Sequence, residues 1–414
     1  MNGRAVSLIR YVMAVSVILY VPAMLSFQLG IENSNLLSQK FSGLRSLRIG
    51  LITNQTGRDQ QGNRAIDILL QKGLRVTHIL APEHGFDGTI PAGKPVTNSV
   101  DQKTNIPIIS IYGRGGDHTI AGKCVDPAVM QQIDALFYDI QDSGMRHYTY
   151  ISTLLCALEA AAQHNKPIVV FDRPNFLGPF MEGPLVDPHL KSFISIASIP
   201  LRHGMTVGEL ASYFNKHVLI KTAQLHVIPM KGYNRIMEPP FLSPLSPNIA
   251  SRASLYGYSF LGILGEIEPF YIGVGTPSAF QTILLPEDCH FSPGKWAAVR
   301  TIFHKYGIHS SYHTAMHRKK PYYGLKLHIP DAAKVASFSL LLELLSYFKQ
   351  AGISFSYSAT FDKAVGTQKV QELCKGSCPW QELIEGVNQA LEQFLGQAKD
   401  SFLYTPLPEI RKMF

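Results

Sequence analysis

From Leu47 onward, short apolar runs alternate with polar stretches that contain glycine. The runs cover residues 48–53, 76–80, 106–111, 135–139 and 168–172, and each is short and rich in β-branched or, at 135–139, aromatic side chains, so each predicts a strand. Stretches of helical character lie between several of them, at 64–72 and 148–165. This βαβ rhythm predicts an α/β fold: a Rossmann-like, doubly wound, mostly parallel sheet. A further helix starts at Thr206, where the Thr206-x-x-Glu209 spacing fits a capping box ahead of Leu210 and Phe214. From about 225 to 286 the rhythm dissolves into loops marked by Glu238-Pro239-Pro240 and Ser246-Pro247-Asn248, which suits a domain junction or a set of active-site loops. Beyond them a strand at 323–328 and helices at 336–350 and 381–395 predict a second, smaller α/β C-terminal domain. The expected organisation is an N-terminal targeting segment over 1–30, a Rossmann-like catalytic domain over 45–280 and an auxiliary domain over 281–414.

Composition narrows this picture. With 46% hydrophobic residues in 414, the chain can bury a large core. Its net charge of +8 is spread thinly, with no basic block, so nucleic acid is not an expected partner. Residues 11–27 form an uncharged apolar segment, preceded by Arg4 and Arg10 and interrupted by Pro22. That pattern predicts export as a cleaved signal or a retained membrane anchor, and places the protein in the cell envelope or periplasm. The five cysteines are too few for a disulfide scaffold, and only Cys374-x-x-x-Cys378 has the spacing of a local bridge.

The candidate chemistry gathers at the strand ends. Asn54 follows the first run, Glu83 and His84 the second, Asp139, Gln141 and Asp142 the fourth, and Asp172, Arg173 and Asn175 the fifth. Parallel strands deliver such residues to one crevice, where carboxylates beside Arg146, His147 and Arg173 can protonate a leaving group and hold an anion. Asp139 and Asp172, at strand ends, equally suit a structural role as acceptors for the next turn. Glu83 differs because Pro82 and Gly85 constrain its loop on both sides, which favours a desolvated acid. Tyr148 and Tyr150 offer flat apolar contact with a hydroxyl, and His203 adds an imidazole. No Gly-x-Gly-x-x-Gly, Walker or Gly-x-Ser-x-Gly pattern occurs, so neither a nucleotide cofactor nor a serine nucleophile is expected, and no ligand spacing predicts a metal.

Taken together, GLITNQTG (50–57), APEHGFDG (81–88), FYDIQDSGMRHYTYISTL (137–154), FDRPNFLG (171–178), MEGPLVDP (181–188), PLRHGMTVGELA (200–211), PLSPN (244–248) and FDKAVGT (361–367) resemble the exo-β-N-acetylmuramidase (NamZ) family of peptidoglycan-recycling glycosidases. The resemblance implies release of N-acetylmuramic acid from the non-reducing end of peptidoglycan fragments, so the implied partners are amino sugars or muropeptides. It makes Glu83, with His84 and Gly85 beside it, the leading general acid and Glu182 the next carboxylate to test. Asn54, Asp139, Gln141, Asp142, Arg146, Tyr148, Tyr150, Asp172, Arg173, Asn175 and His203 would line the sugar site. Two departures from the family stand out. Asp87 replaces an arginine, and a later Gly- and Arg-containing loop survives only as Glu266, Gly273, Gly275 and Thr276, with Val274 among the replacements. A non-catalytic amino-sugar- or muropeptide-binding envelope protein is the alternative.

Overall fold

The structure is a computed structural model that describes residues 27–40, 43–113, 119–331 and 335–413. Most of the segment expected to direct export, residues 11–26, lies outside them. The larger unit is built on β1 (Ile49–Thr53), β2 (Val76–Ala81), β3 (Ser99–Val100), β4 (Pro107–Ser110), β5 (Ala135–Asp139), β6 (Pro167–Phe171), β7 (Phe180–Glu182), β8 (Arg202–His203) and β9 (Gln224–Ile228). Its 7-stranded sheet runs β3-β4-β2-β1-β5-β6-β9. All pairs are parallel except β3 with β4. Along β5, Ala135 and Phe137 enter one core while Leu136 and Tyr138 enter the other, so the sheet is covered on both faces. That double burial explains why the strands read as continuous apolar runs.

The chain leaves β1 toward β2 on one side and later returns to place β5 on the other. This is the topological switch point, where the carboxyl ends of the strands open a crevice. The helix Tyr150–Gln163 packs almost wholly buried against the sheet. The helix Val207–Tyr213 begins with the expected capping box, in which Thr206 accepts from the Glu209 amide and the Glu209 carboxylate accepts from the Thr206 amide.

The C-terminal part holds an antiparallel sheet of Thr282–Pro286, Lys320–His328 and His309–His317, flanked by helices Pro293–Lys305, Ser337–Gln350 and Trp380–Ala398. The last strand, Glu409–Ile410, pairs with β7, which returns the chain to the larger unit.

Two expectations are corrected here. The segment 225–286 is not simply a run of loops, since it contains β9, the helix Arg252–Leu264 and the strand Thr282–Pro286. In that helix Leu255, Phe260, Leu261, Ile263 and Leu264 are all buried, so no polar stripe marks its period. Its Gly257 is required, because a Cβ there would sit 1.6 Å from the Phe280 carbonyl oxygen. The disulfide joins Cys124 to Cys156, with Cα atoms 5.3 Å apart, while Cys374 and Cys378 are free thiols.

Candidate active site

Glu83 leaves the end of β2 into a loop that doubles back on itself. His84 and Gly85 both take left-handed backbone, with φ of 70° and 79°. For a histidine that conformation is uncommon and is held by the surrounding contacts. The turn buries the Glu83 side chain, which is only 6% exposed. Oε1 accepts from the Gly93 amide at 2.8 Å and the Tyr112 hydroxyl at 2.9 Å, and Oε2 accepts from the Thr149 hydroxyl at 2.6 Å. The amide hydrogen on Oε1 is fixed, whereas a hydroxyl can rotate to donate or accept. Oε1 is therefore held by a fixed donor, and Oε2 faces a hydroxyl that can turn. Burial and the charge of Glu83 both push the Tyr112 phenol up, so it stays a donor. Nδ1 of His84 lies 2.6 Å from the Ile90 carbonyl oxygen, which puts its hydrogen on Nδ1 and leaves Nε2 as an acceptor.

Several expected neighbours converge on this loop. The Tyr150 hydroxyl donates to the Glu83 carbonyl at 3.3 Å, and burial and the Glu83 charge raise its pKa, opposed by the Asn54 and Gln55 amides beside it. Tyr148 packs edge-on against Tyr150, with ring centroids 4.8 Å apart, and donates to the Leu245 carbonyl. Asp142 follows β5. Its Oδ2 accepts from the Gly144 amide and faces His203 Nε2 at 3.1 Å, while its buried Oδ1 has no partner among the described residues. Because Nδ1 of His203 accepts from the Met205 amide, this histidine orients Asp142 and has no spare nitrogen for substrate. Gln141 and Asn175 donate to the carbonyls of Pro174 and Met205 and thus shape the loops of the crevice floor.

The remaining candidates face elsewhere. Arg146 is fully buried, and its guanidinium donates to the Ser195 hydroxyl and to the carbonyls of Pro184, Ile199, Ala364 and Val365, leaving nothing for a sugar carboxylate. Arg173 forms a bidentate pair with Asp139, at 2.6 and 2.8 Å, so its charge is neutralised inside the fold. Asp172 accepts from the Arg173 and Gly208 amides and from the Thr206 and Tyr404 hydroxyls, the structural alternative for a strand-end carboxylate. Glu182 pairs with Arg202 and accepts from the Phe338 amide in the first turn of Ser337–Gln350. It fastens the C-terminal part to the larger unit and is not part of the crevice.

Three participants were not expected from sequence: Tyr112, Thr149 and Tyr258. Tyr258 lies on Arg252–Leu264, and burial, with the charges of Asp142 and Glu83, pushes its phenol well up. It therefore sits within the fields of both carboxylates. Its signal was the Tyr256-Gly257-Tyr258 run inside a segment that reads as loops. The segment around Leu245 covers the crevice, held by Gln55, which donates to Pro244 and Leu245, and by Tyr148. Among the described residues no cluster of three His, Cys, Asp or Glu is disposed to hold a metal.

Comparison with known proteins accounts for nearly the whole chain. Residues 49–253 match the N-terminal domain of exo-β-N-acetylmuramidase NamZ, and residues 256–404 match its C-terminal domain. The peptidoglycan β-N-acetylmuramidase NamZ of Bacillus subtilis (strain 168) is 32% identical over 382 residues, covering 87% of this chain and 88% of that protein. Two DUF1343 family proteins of Bacteroides fragilis NCTC 9343, known from crystal structures, superpose with TM-scores of 0.79 and 0.72 at 30% and 26% identity. Each comparison covers 92% of this chain and 99% of the other. The chain belongs to the exo-β-N-acetylmuramidase NamZ family.

Proposed function

We propose that this protein is an exo-acting glycoside hydrolase that releases N-acetylmuramic acid from the non-reducing end of peptidoglycan fragments, with Glu83 as general acid. The observation that carries the reading is the Glu83 carboxyl, desolvated at the mouth of the sheet with one oxygen fixed by an amide and the other facing a rotatable hydroxyl. In this mechanism Oε2 holds the proton and passes it to the glycosidic oxygen as the bond to the anomeric carbon breaks. Asp142 is the second carboxylate, oriented through Oδ2 by the Gly144 amide and His203, with a buried Oδ1 that no described residue partners. Family membership supports the substrate class, since the Bacillus subtilis relative is a peptidoglycan β-N-acetylmuramidase.

We further propose that the enzyme is exported by residues 11–27 and works in the cell envelope. The Cys124–Cys156 bond supports an oxidising compartment.

The test is turnover of a nitrophenyl glycoside of N-acetylmuramic acid and of a natural disaccharide. Glu83→Gln should lower kcat by about a hundredfold to ten-thousandfold, and the loss should be larger on the disaccharide, whose leaving group needs the proton more. Unchanged turnover on both substrates would remove Glu83 from the role.

A further inference from the structure

N-acetylmuramic acid carries a lactyl carboxylate, and the two arginines that sequence offered for it are both occupied inside the fold. Other buried cations are likewise paired, Arg202 with Glu182 and Arg235 with Glu209. Arg64 is matched by two carboxylates, Asp67 and Asp101.

Arg58 differs from all of these. Its Nε donates to the Gln55 carbonyl at 3.1 Å and its Nη1 to the Gly62 carbonyl at 2.7 Å, so no carboxylate neutralises it and Nη2 is left unpaired among the described residues. Arg58 lines a cleft of about 80 Å³ with Asn54, Gln55, Phe86 and Asp87, and Phe86 belongs to the loop that carries Glu83. The backbone beneath Arg58 is also fixed, because its carbonyl accepts from Arg173 Nη2 at 2.9 Å and Arg173 is itself locked to Asp139.

We infer that Arg58 is the specificity-determining residue for the acidic sugar, binding its lactyl carboxylate in this cleft. The inference rests on the proposed muramidase activity and adds to it the group that recognises the substrate. A partly fixed guanidinium with free donors is pre-organised for a carboxylate, and two of its contacts are to neutral carbonyls that leave its charge intact. Asp87 on the same cleft opposes the anion, so the two residues act on the lactyl group with opposite sign.

The experiment compares a nitrophenyl N-acetylmuramic acid glycoside with its lactyl methyl ester, which keeps the shape and loses the charge. Arg58→Ala should lower the acid-to-ester ratio of kcat/KM by about ten- to a hundredfold, and Asp87→Asn should raise it. Calorimetry with free N-acetylmuramic acid and N-acetylglucosamine supplies a readout independent of turnover, with Arg58→Ala weakening the first sugar alone. An unchanged ratio, or equal loss on acid and ester, overturns the role of Arg58 while leaving the muramidase reading in place. Binding of the acid that depends on Arg58, without turnover of either glycoside by the unaltered protein, would uphold this site and overturn the catalytic reading instead.

Discussion

Arg173 and Asp139 meet out of contact with water, and a second hydrogen on Arg173 Nη2 reaches the Arg58 carbonyl. Replacing Arg173 by Ala leaves a buried carboxylate without its cation, a change that destabilises by about 3–5 kcal/mol. Urea unfolding of Arg173→Ala should show that loss, and an unfolding free energy equal to that of the unaltered protein would contradict the pairing. Asp172 carries a pH dependence of its own. Burial, then the charge of Glu209, pushes its carboxyl up to about 7 from 3.8, against the pull of the donors around it. Over that interval the folded state binds more protons than the unfolded chain, so this group's contribution to stability is lost as pH rises from 3.8 to about 7. Asp172→Asn should flatten the fall in unfolding free energy over that interval, and an unaltered slope would contradict the assignment. The strand-end positions of Glu83, Asp139 and Asp172 were legible in the sequence. Their partners were not, because Asp139 pairs with a residue 34 positions away and Asp172 with one 232 positions away. Whether a carboxylate is locked to a cation or left for substrate is decided by such contacts.

Among the elements, the two whose hydroxyls donate to the Glu83 carboxyl are joined covalently. Tyr112 lies just after β4, ahead of Cys124 in the chain, and Thr149 immediately precedes the helix Tyr150–Gln163, which carries Cys156. A bond across a sequence separation of 32 restrains the unfolded chain by about 3–4 kcal/mol. The double variant Cys124→Ser, Cys156→Ser should therefore unfold more easily by roughly that amount. It should also lose turnover under conditions where it remains folded, because Tyr112 and Thr149 are no longer held in register around Glu83. Full activity in the folded double variant would show that the bond serves stability alone. The parallel strands were readable because each is apolar on both faces, and the capped helix at Thr206 because its box is local. The helix Arg252–Leu264 was hidden by the same physics that makes it a core element: apolar side chains on every side and a glycine where another backbone approaches. With it went Tyr258, and with the long-range bond between Cys124 and Cys156 went the clamp around the acid.

At the scale of the whole molecule, the two family domains are fastened by charged side chains that do not touch the Glu83 carboxyl. Glu182 receives Arg202 and the first turn of Ser337–Gln350, Arg146 binds carbonyls from residues 184 to 365, and Glu409–Ile410 adds a strand beside β7. These contacts explain why conspicuous charged residues in the motifs belong to the frame, while the chemistry is left to the loops at the switch point between β1, β2 and β5. The segment around Leu245 closes over those loops through Gln55 and Tyr148, and the cleft lined by Asn54, Arg58, Phe86 and Asp87 lies between the β1 and β2 loops. The most direct measurement is a crystal structure of Glu83→Gln with an N-acetylmuramic acid-terminated fragment bound. The account predicts the residue 83 amide within about 2.6–3.2 Å of the glycosidic oxygen. A fragment bound with that oxygen out of hydrogen-bond reach of residue 83, and beside another carboxyl group, would contradict it.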